Sequence, residues 1–218
     1  MADPAGEAHP RLDNDAVHAR TGAYLHPAFW PAKLAWLAET EPDVFRRVER
    51  FVSFADYLRG EPVSTPSLAS GTGLLDLTTS TWDEELLSVI GLDAGRLPEL
   101  ADLPVWIDGV CSNLGAGCVG GRAALMVGTS GALRILYETD RPQPRPGLFL
   151  YRLDERRVVE GGALSDGGNL YGWLNATLAP AEPRDPGDHG LTFLALPIKN
   201  PPRTHEAIMP VVNSIKRA

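Results

Sequence analysis

Apolar positions recur at two different spacings along this chain of 218 residues. From Pro31, the residues Leu34, Trp36, Leu37 and Ala38 share one helical face, and Glu39-Thr-Glu-Pro42 closes the pattern because proline cannot sit in a helix interior. A second helix is predicted over Asp43–Arg50, with Val44, Phe45 and Val48 turned inward and Arg46, Arg47 and Arg50 forming a solvated face. Phe51–Leu58 reads as a strand passing into a helical turn, ended by Arg59-Gly-Glu-Pro62. Ser64–Gly73, full of hydroxyls and glycines, predicts a loop whose backbone comes close to another group. Leu74–Leu77 predicts a short strand. Thr81 and Glu84 form a capping box opening a helix that runs through Ile90 and stops at Gly91.

In the second half the period shortens. Val105–Ile107 predicts a short strand that ends in Asp108, followed by a helix of small residues. Two apolar strands, Ala123–Val127 and Ala132–Leu136, are joined by the turn Gly128-Thr129-Ser130-Gly131. Thr139–Pro146 is a proline-rich connector, and Gly147–Leu153 with Arg157–Gly161 reads as a hairpin across Asp154-Glu-Arg. Gly161–Leu174 is a second glycine-rich stretch leading into a helix that carries Trp173. Met1–Gly22 shows little periodicity and predicts an irregular lead-in, with order beginning near Tyr24. No repeat of fixed period argues for a solenoid.

Composition narrows the classes. With 44% hydrophobic residues the chain can fill one large core or two small ones. A net charge of −8 leaves no broad basic surface, which argues against nucleic acid and anionic membranes as partners and for a small diffusing substrate. No run approaches the roughly eighteen apolar residues of a membrane span, and the first residues lack a secretory signal, so the expected address is the cytoplasm. Cys111 and Cys118, if on one helix, stand about 10 Å apart along its axis. That spacing predicts buried structural thiols rather than a disulfide, and no zinc-ligand set accompanies them.

An acid at a strand end and a glycine-flanked hydroxyl turn are the parts that phosphoryl transfer uses. The carboxylate of Asp108 can take a proton from an alcohol, and the N–H groups of Gly128–Gly131 can hold phosphate oxygens. Each has a plainer reading: Asp108 as a helix N-cap, the turn as an ordinary hairpin, though Thr-Ser lacks the usual Asn-Gly chemistry.

Five segments in the same order resemble the FGGY carbohydrate kinases, most closely the gluconate- or xylulose-type branch. They are His26-Pro-Ala-Phe-Trp-Pro-Ala-Lys33-Leu-Ala-Trp36-Leu, Ser67-Leu-Ala-Ser-Gly-Thr-Gly-Leu-Leu-Asp76, Asp108-Gly-Val-Cys-Ser-Asn, Gly128-Thr-Ser-Gly131, and Gly161-Gly-Ala with Gly167-Gly168 and Trp173. The resemblance implies an α/β, actin/hexokinase-like (ribonuclease-H-like) fold, represented here by parts of two domains. It implies transfer of phosphate from ATP, with Mg²⁺, to an alcohol of a small sugar or sugar acid. Asp108 is then the catalytic base. Gly128, Thr129, Ser130, Gly131, Gly168 and Asn169 contact the nucleotide, and His26 lies near the sugar together with Asp108.

On that basis residues 1–22 are an irregular tail, 23–120 part of the N-terminal kinase domain on the sugar side, 121–194 the start of the C-terminal domain on the nucleotide side, and 195–218 a divergent tail. The family's opening Asp-x-Gly-Thr phosphate loop is not found before Tyr24, nor its glycine-rich adenosine motif after Leu194. The passage from Leu97 to Asp108 is also shorter than the family's, so the core beside Asp108 is expected to lack a strand. The chain is therefore expected to be truncated at both ends. The alternative function is a non-catalytic remnant that binds a sugar or a partner.

Overall fold

The computed structural model describes residues 12–164 and 166–177. The segment His189–Leu194 and the tail Ala195–Ala218 lie outside the described residues. Among those described, the first half is helical and the second is a sheet with a helix on one face.

The helical half runs α1 (Asn14–Thr21), α2 (Trp30–Thr40), α3 (Pro42–Arg47), α4 (Phe54–Arg59), β1 (Val63–Ser64), α5 (Pro66–Thr72), β2 (Leu75–Asp76), β3 (Thr81–Trp82), α6 (Glu84–Ile90) and β4 (Glu99–Leu100). Val17, Leu34, Phe45, Leu74, Leu86, Leu87, Ile90, Leu92 and Leu97 form its core. A polar tie crosses the edge of this core: the Arg20 guanidinium meets the buried Asp83 carboxylate at 2.7 Å, while Asp83 also caps α6 by accepting from the Leu86 N–H. Its β-pairs are two residues long, β1 parallel to β4 and β2 antiparallel to β3.

Several expectations are corrected in this half. The lead-in is not irregular throughout, because Asn14–Thr21 is helical, capped by Asp13 and ended by Gly22 in the left-handed region. Its periodicity is faint because its buried side chains are Val17, His18 and Thr21, of which only Val17 is apolar. The second predicted helix begins on Pro42 and ends at Arg47, with Phe45 buried but Val44 exposed. Proline both stops α2 and opens α3, where its missing N–H costs nothing.

Phe51–Leu58 contains no strand. Ser53 caps α4, and Phe54, Tyr57 and Leu58 point outward, 74%, 71% and 68% exposed. Ser64–Gly73 is not a loop but the end of β1 and the helix α5, whose Ser67, Ser70 and Thr72 are buried. The close approach expected there is real but internal: a Cβ on Gly71 would stand 2.9 Å from Ile107 Cγ2. The cap of α6 is Asp83 rather than Thr81, which pairs in β3.

The second half contains α7 (Asp108–Gly115), β5 (Ala123–Val127), β6 (Gly131–Glu138), β7 (Phe149–Arg152), β8 (Arg157–Leu164) and α8 (Gly168–Thr177). The four strands predicted after Ala123 and both hairpins are present, in one antiparallel sheet of order β5-β6-β8-β7. Val105–Ile107 is not a strand; it enters α7 as irregular chain held by side chains of α5 and its cap, with the Thr65 hydroxyl donating to Val105 O and the Ile107 N–H donating to Ser67 Oγ. Cys111 is exposed on α7, and Cys118 is half-buried beyond the helix end; both are free thiols rather than buried ones. α7 covers the sheet through Val110 packed with Leu136, Leu153 and Val159.

The halves meet at β7. Leu150 donates its N–H to Gly22 O, Leu148 O is 2.6 Å from His18 Nε2, and Arg152 bonds Leu77 O through Nε and Ser70 Oγ through its backbone N–H. The Arg152 guanidinium is buried, and burial lowers its pKa; carbonyl oxygens of Leu77 and Glu155 satisfy it. These bonds cover an edge strand that would otherwise offer open pairing groups.

Two predictions follow from this junction. A Cβ on Gly22 would sit 1.8 Å from Leu150 O at φ +71°, whereas Gly91 has φ +74° and open space around it. Urea denaturation should therefore show Gly22→Ala destabilising by more than about 2 kcal/mol and Gly91→Ala by about 1 kcal/mol. Equal costs would mean that the β7 contact does not constrain the fold.

Burial lowers the His18 pKa below its ordinary 6.5, against the pull of Leu148 O. The unfolded chain then binds more protons than the folded one as pH falls through 6.5. Stability should be full above that pH and drop as it falls toward the depressed folded value. Urea midpoints at about pH 7.5 and pH 5.5 check this, with the slope flattened in His18→Gln.

Candidate active site

Asp108 is the first residue of α7, with Ile107 as N-cap. It is therefore not the cap itself, although a carboxylate in the first turn still gains from the helix dipole. Its side chain is exposed and makes no hydrogen bond or ion pair among the described residues. Gly109 follows, and a Cβ there would lie 2.9 Å from Arg134 Nε, so glycine lets the Arg134 side chain from β6 rest against the first turn of α7.

Beside this turn is a cavity of about 450 Å³, whose lining includes His26, Phe29, Gly109, Arg134, Phe149 and Tyr151. The His26 Nδ1 accepts from the Ala28 N–H, so a neutral ring carries its proton on Nε2 and can donate with it. Burial pushes the Tyr151 phenol well above its ordinary pKa, opposed only by the Arg134 charge, so Tyr151 stays protonated and can donate as well. Its ring stacks on Phe149 at 4.8 Å.

The two glycine-rich segments come together at one end of the sheet. Gly128, Thr129, Ser130 and Gly131 form the turn between β5 and β6. The Gly167 N–H donates to Thr129 O, and the Gly168 N–H donates to Gly128 O. A Cβ on Gly167 would lie 2.8 Å from Ser130 O, and one on Gly168 2.9 Å from Gly128 O, so only glycine permits this approach. The turn's carbonyls are thus engaged, while the hydroxyls of Thr129 and Ser130 have no partner among the described residues. Asn169, in the first turn of α8, contacts Asp166 at 3.5 Å. Trp173 is 54% exposed, so this helix does not bury it.

The structure therefore brings the sequence-predicted residues into two groups, His26 on the cavity beside Asp108, and Gly128–Gly131 against Gly168-Asn169. Arg134 links them, because it lies three residues beyond Gly131 on β6, roughly 10 Å along the strand. No motif in the sequence marks Arg134 or Tyr151. The available signal was a lone charge inside the apolar run Ala132–Leu136.

Among the described residues, no cluster of three or more His, Cys, Asp or Glu is placed to hold a metal ion, and no helix is long and apolar enough to cross a membrane. Residues 7–121 match the N-terminal domain of the FGGY family of carbohydrate kinases. The gluconokinase of Bacillus subtilis (strain 168) is 30% identical over 200 residues, covering 78% of this chain and 39% of that protein. The xylulose kinase of Escherichia coli (strain K12) is 29% identical over 166 residues, covering 62% of this chain and 34% of that protein. The crystal structure of gluconate kinase from Lactobacillus acidophilus superposes with a TM-score of 0.69 at 28% identity, covering 75% of this chain and 39% of that one. The chain spans between about a third and two fifths of the length of these relatives. Matched over more than half its residues by the family's N-terminal domain, and sharing the actin/hexokinase-like architecture of its solved members, the chain belongs to the FGGY family of carbohydrate kinases.

Proposed function

We propose that this chain holds the centre of an ATP-dependent carbohydrate kinase that phosphorylates an alcohol of a sugar or sugar acid, gluconate-like, in the cytoplasm. The observation that carries the reading is the alignment along β6 of the Gly128–Gly131 turn with the cavity beside Asp108. The sugar occupies the cavity, with the His26 and Tyr151 donors toward its hydroxyls. Asp108 accepts the proton of the reacting hydroxyl while that oxygen attacks the γ-phosphorus; the bond to the bridging oxygen breaks, and ADP leaves with the electron pair. The Thr129 and Ser130 groups hold phosphate oxygens, and Asn169 lies toward the nucleoside.

MgATP is the co-substrate. Magnesium in such reactions keeps several waters and is held by one or two carboxylates besides the phosphates. Relatives that include a gluconokinase and a gluconate kinase support the sugar-acid direction.

In a coupled assay of ADP release over a panel of sugars and sugar acids, Asp108→Asn should lower turnover by about 10²- to 10⁴-fold with little change in KM. Unchanged turnover would remove Asp108 from the role of base. Sugar or nucleotide binding without turnover in the unaltered chain would favour the non-catalytic remnant instead.

Gly167→Val places a branched side chain against Ser130 O and should weaken ADP binding by about tenfold or more while leaving sugar binding intact, as read by calorimetry. Unchanged ADP affinity would place the nucleotide elsewhere.

A further inference from the structure

Among the cavity-lining residues, Arg134 bears the one permanent charge, and it is unpaired. Its Nη1 is buried without a hydrogen-bond partner, and the guanidinium makes no ion pair among the described residues. Buried guanidinium groups elsewhere in this chain are satisfied, as Arg152 is by carbonyl oxygens. On β6, Arg134 shares a face with Ala132 and Leu136, both buried, and Leu136 packs under α7 against Val110. An aliphatic residue would extend that apolar face, whereas a charge without an acceptor costs stability. The packing of the fold therefore gives no reason for an arginine at this position.

The surroundings give a chemical one. The guanidinium lies against Gly109, the residue after Asp108, and shares the cavity with the Tyr151 hydroxyl, the His26 Nε2–H and the rings of Phe29 and Phe149. A planar fork of donors beside hydroxyl-binding groups and apolar rings is suited to a carboxylate on a polyhydroxy chain. We infer that Arg134 is the specificity-determining residue of the sugar site, binding the carboxylate of an open-chain sugar acid and favouring it over the corresponding neutral polyol. This rests on the cavity being the sugar site of the proposed kinase. It adds which substrate class the cavity selects and which residue selects it.

The test compares D-gluconate with D-glucitol, which carries an alcohol in place of the carboxylate on the same six-carbon chain, by titration calorimetry on the full chain. The unaltered protein should bind gluconate about tenfold or more tighter than glucitol, the scale of one charge-assisted contact. Arg134→Gln should bring the two affinities together, and Arg134→Lys should restore part of the preference. Thermal melts followed by circular dichroism confirm that the variants are folded. If Arg134→Gln does not melt cooperatively, Arg134→Met, which suits the apolar face, takes its place with the same expectation.

A gluconate preference that survives Arg134→Gln overturns the inference, as does equal affinity for the two compounds in the unaltered chain or binding of neither by folded protein. Preference through Arg134 without any ADP formation upholds this inference and contradicts the kinase reading. Equal rates of ADP formation with gluconate and glucitol do the reverse.

Discussion

The cover over β7 is the constraint on which the rest of the molecule depends. β7 is the outer strand of the four-stranded sheet, and on its free edge the Leu150 and Arg152 N–H groups donate to Gly22 O and Ser70 Oγ of the helical half, with His18 at Leu148 O just before the strand and Leu77 O at the Arg152 guanidinium. No side chain fits at Gly22, because its Cα side faces Leu150 O directly. Arg152 crosses the same boundary and spends its buried charge on carbonyl oxygens. The two halves thus share hydrogen bonds that neither satisfies alone, and an unmet bond in such a place costs about 1–3 kcal/mol.

That junction also sets where the cavity lies. The cavity opens between the chain that leaves α1, carrying Tyr24, His26 and Phe29, and the sheet that the junction holds against it. α7 lies across the sheet on Val110, so Gly109, the residue after Asp108 in its first turn, is brought to the cavity wall by packing rather than by a strand of its own. The tethers from Thr65 and Ser67 to Val105 and Ile107 supply the support that the expected strand would have given. The Gly128–Gly131 turn is held from the other side by Gly167 and Gly168. Rigid sheet between the turn and the cavity fixes their separation, which is what a transfer reaction needs when most of the catalysis is positioning.

The sheet was legible in the sequence because its strands are short apolar runs separated by unmistakable turns, and the pairing of Phe149–Arg152 with Arg157–Leu164 follows from that pattern. The helical half was less so. α5 is built from serines and threonines whose hydroxyls are spent on its cap, its own carbonyls and the neighbouring chain, a use that composition cannot distinguish from a loop. α1 hides for a related reason: its buried side chains include His18, stacked on Tyr24 at 3.9 Å, and Thr21. Motif order singled out Asp108, the Gly128–Gly131 turn and Gly168 as candidates. What it could not supply was that the Gly167 and Gly168 N–H groups meet the turn's carbonyls, or that Arg134 from a strand interior stands against Gly109 with no hydrogen-bond partner for its Nη1 among the described residues.

The proposed kinase requires one cleft that joins a sugar cavity, the Asp108 carboxylate and the Gly128–Gly131 turn. A crystal structure of the chain grown with gluconate, ADP and magnesium tests it most directly. The account predicts a sugar hydroxyl within hydrogen-bonding distance of the Asp108 carboxylate, and the ADP phosphates against the N–H and hydroxyl groups of Thr129 and Ser130. Gluconate or nucleotide bound only at a site away from these residues would contradict it.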